Sequence, residues 1–158
     1  MALRERFASF IRRFPKVMLL PYYAYRFFQP KYSVGVVGVV LNARDEVLLV
    51  EHVFHPRVPW GLPGGWIGAN EDPAETVVRE LKEELNLTVY VERLVLMGRT
   101  QYHHLDIAYL CRTDDSVGAL SYELLGHRWV KEQDLPRMNP FHRQAIHHAL
   151  YDGQDKPQ

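Results

Sequence analysis

Cysteine is almost missing: Cys111 is the only one in 158 residues. No internal disulfide can form, and a zinc site built from several cysteines is excluded. A reducing, cytoplasmic compartment is the expectation. Long apolar runs are missing too. The longest near the N-terminus, Val17 to Leu20, stops at Pro21, far short of the roughly 18 apolar residues of a membrane span. No signal-peptide h-region or small-residue cleavage site is visible. Nor is there an excess of either charge, since 19 basic residues balance 19 acidic ones. Without a net positive field, general nucleic-acid binding is disfavoured.

Apolar residues make up 47% of the chain and charged residues 24%, a globular balance able to bury a core. The length suits one compact domain. The charge is uneven, however. Residues 1–31 carry Arg4, Arg6, Arg12, Arg13, Lys16, Arg26 and Lys31 against Glu5 alone, a net +6 that leaves −6 for the remainder. In this stretch Phe7, Phe10, Ile11 and Phe14 fall at helical spacing until Pro15 breaks the pattern, and an aromatic cluster from Tyr22 to Phe28 follows. So much apolar surface should be covered. The expectation is a basic, aromatic extension over 1–31 that packs within a protein assembly, a homodimer included; a membrane surface is disfavoured because a single short amphipathic helix holds lipid only marginally.

The main domain is expected over 32–153, with a frayed tail at 154–158. Ser33–Leu41 is rich in valine and reads as a buried strand, with Val47–Glu51 as its hairpin partner. Gly35 and Gly38 within it suggest a bulge or a close approach. A loop rich in proline and glycine runs from His55 to Gly65. Asp72-Pro73-Ala74-Glu75 has the form of a helix start, with Asp as N-cap and Pro at the first position. That helix carries the stripe Ala74, Val77, Val78, Leu81 and Leu85, and stops at Asn86 in a left-handed cap. Further strands are expected at 87–97, 102–111 and 127–130. Asn139-Pro140 opens a last helix that Gly153 would end.

The chemistry concentrates on the first of these helices. Glu80, Glu83 and Glu84 stand at i, i+3 and i+4, which confines three carboxylates to an arc of about 100°, expected beside the buried stripe and not on it. Like charges at this spacing repel, and the C-terminal half of a helix disfavours anions further. A cation reverses both penalties, and oxygen ligands without intervening His or Cys suit Mg²⁺ or Mn²⁺ better than zinc. Arg79 can hold Glu83 in one orientation. The eight histidines form no HExxH pattern, and no GxSxG nucleophile turn is present; His103 and His104 lie nearest the expected cleft.

Gly65, then Glu71, then Arg79-Glu80-Leu81, Glu83-Glu84 and Leu87, at these intervals, resemble the signature of the Nudix hydrolases. Asn86 stands where family members usually have Gly, a neutral change for a left-handed cap. Gly68 and Asn70 replace the acid and the Gly common in the loop. The resemblance implies an α/β fold of the Nudix type, an α/β/α sandwich with a mixed sheet. It implies that the Gly65 carbonyl with Glu80, Glu83 and Glu84 holds divalent ions, that Glu71 braces the loop by pairing with Arg79, and that Arg79, Glu80 and Glu123 serve catalysis. Glu123 precedes Trp129 by six residues, a spacing the family uses for a further glutamate at the metal; Asp114 and Asp115 are alternatives. Trp66, Tyr102 and Tyr122 could stack a nucleobase. The implied reaction is Mg²⁺- or Mn²⁺-dependent hydrolysis of a nucleoside diphosphate linked to another group. ADP-ribose-like or nucleotide-sugar substrates come first, nucleoside triphosphates or dinucleoside polyphosphates next. The alternatives are pyrophosphate removal from an RNA 5′ end and a nucleotide sensor without turnover.

Overall fold

The structure is a computed structural model that describes residues 3–152, so the expected stop at Gly153 and the tail at 154–158 lie outside the described residues. The chain divides into two compact units, at Lys31 and Tyr32. The first holds two helices joined by a 3-10 turn: α1 (Leu3–Arg13), the turn Pro15–Met18, and α2 (Leu19–Phe28). Pro15 ends α1, because a residue before proline is pushed out of the helical region; Phe14 has φ −128°. Pro21 is tolerated in the first turn of α2, where its missing N–H has no partner to lose. The Tyr22–Phe28 cluster therefore forms a helix of its own, which the sequence reading did not include.

The second unit is an α/β/α sandwich. Its strands are β1 (Ser33–Val40), β2 (Val47–His52), β3 (Trp60–Gly61), β4 (Gly64–Trp66), β5 (Tyr90–Gln101), β6 (His104–Arg112) and β7 (Leu124–Val130). Its helices are α3 (Pro73–Leu85) and α4 (Pro140–Tyr151). A four-stranded mixed sheet has the order β4-β1-β6-β5, with β1 parallel to β6; a three-stranded antiparallel sheet has the order β3-β2-β7.

One expectation is corrected here. β1 and β2 are not a ladder: only a bridge from Leu41 to Val47 joins them, and they belong to different sheets. Both strands are buried on both faces, so neither needs the other. Val36, Val40, Leu48 and Val50 face a core with Val77, Leu81 and Leu85 of α3, while Val37, Val39, Val47 and Leu49 face a core with Phe141, Ala145 and Ile146 of α4. Continuous apolar strands of this kind are the mark of sheets covered on both sides. The short strands β3 and β4 lie in what reads from sequence as loop. Gly38 is the close approach expected in β1: a Cβ there would sit 3.2 Å from Leu81 and Val77, so α3 packs directly on the strand.

Candidate active site

The caps of α3 set its phase. Asp72 accepts from the Ala74 N–H at 2.8 Å, and Asn86 takes φ 46°, ψ 37°, the left-handed cap. With that phase fixed, Glu80 and Glu84 turn toward β4, while Glu83 is exposed beside Arg79. Glu84 corrects the sequence reading, which put the acidic arc beside the buried stripe: it is only 7% exposed and lies among the buried residues of α3. The reason is the Gly64 N–H, which donates to Glu84 Oε2 at 3.1 Å and draws the carboxylate beneath the strand.

Burial pushes the Glu84 carboxyl up to about 7; the Gly64 hydrogen bond opposes this, and the charges of Glu80, Glu123 and Glu83 add to it. Glu80 is also raised, by burial first, against the pull of Arg79. Gly65 lies so close beside it that a Cβ there would displace the Glu80 carboxyl. Glu123 reaches the same field from the turn before β7, and Trp129 follows it on that strand. Asp114 and Asp115 are exposed on the loop after β6.

Arg79 organises the set. Its Nε donates to Glu71 Oε1 at 2.7 Å and its Nη2 to Glu71 Oε2 at 3.1 Å; Nη1 lies 2.9 Å from Glu80 and 3.1 Å from Glu83. The guanidinium holds the Glu71 carboxyl down at about 2, helped by the Gly68 N–H, and its own pKa is raised in return. Glu71 thereby ties the loop to the helix. Among the described residues no three acidic, His or Cys side chains form a ready metal cage, because Arg79 draws Glu80 and Glu83 toward itself. The donor set nonetheless fits a hard divalent ion in its chemistry. All the donors are oxygens, and a buried carboxylate under three like charges gains most from a cation.

Trp66 is 64% exposed, with its ring 4.9 Å from that of His104. Tyr102 sits at the β5–β6 turn against His103, at 4.2 Å, and the neighbouring Glu123 carboxylate raises the pKa of Tyr122. Both tyrosines are exposed. Behind Trp66 is a polar relay that the sequence reading missed. The Ser33 hydroxyl lies 2.8 Å from His104 Nδ1, His104 Nε2 lies 3.1 Å from Asp106 Oδ1, and Thr100 donates to Asp106 Oδ2 at 2.6 Å. The available signal was a charged residue two positions before Ala108, on the face that carries Ala108 and Leu110 into the core. A cavity of about 830 Å³ is lined by residues that include His52, His55, Trp60, Arg137, Asn139 and His142. Burial lowers both His52 and His142, the latter to about 4.

The sequence and the fold have parallels among known proteins. YjhB of Bacillus subtilis, provisionally named an ADP-ribose pyrophosphatase, is 29% identical over 119 residues, covering 70% of this chain and 56% of its own. An RNA pyrophosphohydrolase of Gluconacetobacter diazotrophicus is 34% identical over 74 residues, 42% of each chain. The chain thus spans about half the length of these curated relatives. In fold it is similar to the crystal structure of an ADP-ribose pyrophosphatase from Streptococcus suis, with a TM-score of 0.67 and 22% identity over 82% of this chain and 96% of that one. The family model of the NUDIX domain matches residues 31–149, and the chain belongs to that family.

Proposed function

We propose that the chain is a divalent-metal-dependent pyrophosphohydrolase that cleaves the diphosphate of a nucleoside diphosphate linked to a second group, with ADP-ribose-like compounds and nucleotide sugars as the leading substrates. One observation carries the reading: Glu84 is buried beside Gly64 with its pKa pushed up to about 7 while Glu80, Glu83 and Glu123 act on the same spot. Arg79 compensates Glu80 and Glu83, whereas Glu84 is held beneath their charge by the Gly64 N–H, and a divalent cation would relieve it. The names of YjhB and of the Streptococcus suis enzyme support the choice of substrate class.

The Gly65 carbonyl with Glu80, Glu83, Glu84 and Glu123 would hold Mg²⁺ or Mn²⁺. When bound, the ion neutralises phosphoryl oxygens and acidifies a coordinated water. Hydrolysis forms one P–O bond to water and breaks one P–O bond of the bridge; the bridge oxygen leaves on the departing phosphate. Glu80 or Glu123 takes the proton of the attacking water. Arg79 keeps Glu80 and Glu83 in place, and Glu71 keeps Arg79 in place. Trp66 is open to a base or sugar ring.

A panel of nucleotides with Mg²⁺ or Mn²⁺, with products identified by mass, tests the proposal. Nucleoside monophosphate plus the phosphorylated second group is the expected pair, and release stops in excess EDTA. Turnover that persists in chelator, or no turnover of any diphosphate, overturns it. Release of pyrophosphate from a triphosphorylated RNA end in preference to all small substrates would favour the RNA reading, which the name of the Gluconacetobacter relative motivates.

A further inference from the structure

The N-terminal unit has a chemistry that the hydrolytic site does not use. No residue of α1, the 3-10 turn or α2 is buried. The exposed side chains include Phe7 at 63%, Leu20 at 79%, Phe27 at 73% and Phe28 at 82%. Residues 1–31 hold seven basic residues against one acidic, the net +6 noted above.

The placement of those charges matters more than their number. At 100° per residue, Leu3, Phe7 and Phe10 fall within an arc of about 60° on α1. Arg4 stands beside that arc on one side and Arg6 and Arg13 beside it on the other, while Arg12 and Glu5 lie opposite, so three of the four cations of α1 flank the stripe. A helix that packs on a protein core places its charges opposite the apolar stripe. Cations flanking the stripe suit an interface, where apolar rings enter and arginine heads reach back to an anionic layer. Helix α2 sharpens the distinction. Arg26 is its only charged residue, and its aromatic and aliphatic side chains point all round the axis. One protein contact covers one side of such a helix and leaves the other wet. A lipid–water boundary can take the whole circumference, with the hydroxyls of Tyr22, Tyr23 and Tyr25 at headgroup depth.

We propose that α1 and α2 dock on the surface of an anionic phospholipid membrane, lying in the interface plane. They do not span it, since no helix among the described residues is long and apolar enough to cross a membrane. Two consecutive helices with flanking cations answer the objection that a single short amphipathic helix binds marginally, on which the expectation of protein packing rested. A second copy of the chain fits less well: apolar stripe against apolar stripe brings arginine borders against arginine borders.

The test is cosedimentation of the full chain with phosphatidylcholine vesicles that contain about one quarter phosphatidylglycerol, with pure phosphatidylcholine vesicles as control and the oligomeric mass followed by light scattering. The protein is expected to pellet with the anionic vesicles, at least about tenfold more weakly with the neutral ones and in high salt, since the attraction of basic residues to an anionic surface is screened by salt. The double variant R6E/R13E and, separately, F27S/F28S should each lose most of the vesicle binding while keeping the hydrolytic rate. Absence of binding to anionic vesicles overturns the proposal. So does a dimer that F27S/F28S dissociates while vesicle binding is unchanged, which would assign the helices to a second copy.

Discussion

Arg79 and Glu71 are joined by two parallel hydrogen bonds, Nε to Oε1 at 2.7 Å and Nη2 to Oε2 at 3.1 Å. The pairing is the planar fork that arginine alone can offer a carboxylate. The same guanidinium lies against Glu80 and Glu83, so the position of two candidate metal ligands depends on a residue that belongs to the preceding loop.

Arg79→Lys removes the fork while keeping the charge. The expected result is a fall of about 10 to 100-fold in kcat, as for loss of an orienting partner behind a metal ligand. Glu71→Gln should lose a similar amount, and the double variant should be little worse than either single one. Additive losses in kcat/KM would show that the two residues do not act as a unit.

Glu84→Gln keeps an oxygen for the Gly64 N–H and removes a buried charge. In EDTA its Tm should equal or exceed that of the parent, because burial opposes the ionised form, while kcat with Mg²⁺ falls by at least about 100-fold. Glu123→Gln should lose activity to a comparable extent, and Asp114→Asn and Asp115→Asn should not. Parent-like rates in both glutamine variants would remove the metal assignment. A loss at Asp115 with none at Glu123 would move the loop ligand.

Local signals explain which parts of this molecule were legible in the sequence. Helix α3 could be read from Asp72, Pro73 and Asn86 because caps act over three or four residues. The helical period put Glu80, Glu83 and Glu84 on one arc, and the resemblance of Gly65 to Leu87 to the Nudix signature singled them out and added Glu123. The burial of Glu84 could not be read, since it depends on Gly64, twenty residues away, coming to lie over the helix. The separation of β1 from β2 was hidden for a similar reason: a run of valines looks the same whether its partner is the next strand or, as here, β6 some seventy residues on. Asp106 was overlooked because its partners Thr100 and His104 meet it only across and along the β5–β6 ladder. Pairing of distant segments has no local signature.

Asn86 tests whether the departure from glycine at the helix end has functional meaning. Its φ of 46° is open to Gly at no steric cost. Asn86→Gly should therefore change stability by less than about 1 kcal/mol and leave kcat unchanged. A large loss of activity with an unchanged Tm would show that the side chain does more than end the helix.

His142 makes stability depend on pH in a direction that can be worked out. Its half-buried imidazole lines the cavity and accepts a hydrogen bond at Nδ1 from the Leu62 N–H at 3.1 Å, which requires that nitrogen to be unprotonated. Burial lowers its pKa to about 4 from an ordinary 6.5; the nearby charge of Asp106 opposes the shift, and His52 and His55 add to it. Between these values the unfolded chain binds a proton that the folded chain refuses. Stability from this group is therefore complete above about pH 6.5, declines as the pH falls toward 4, and is flat below that. The decline amounts to about 3 kcal/mol at most. His142→Gln removes the titration while its side-chain oxygen can still accept from Leu62, so the amide is not orphaned. Urea titrations at pH 7.5 and pH 4.5 should show a larger loss in the parent than in His142→Gln, by about 2 kcal/mol. Equal losses in the two proteins would mean that His142 is protonated in the folded state well above pH 4 and that its bond to Leu62 is made otherwise.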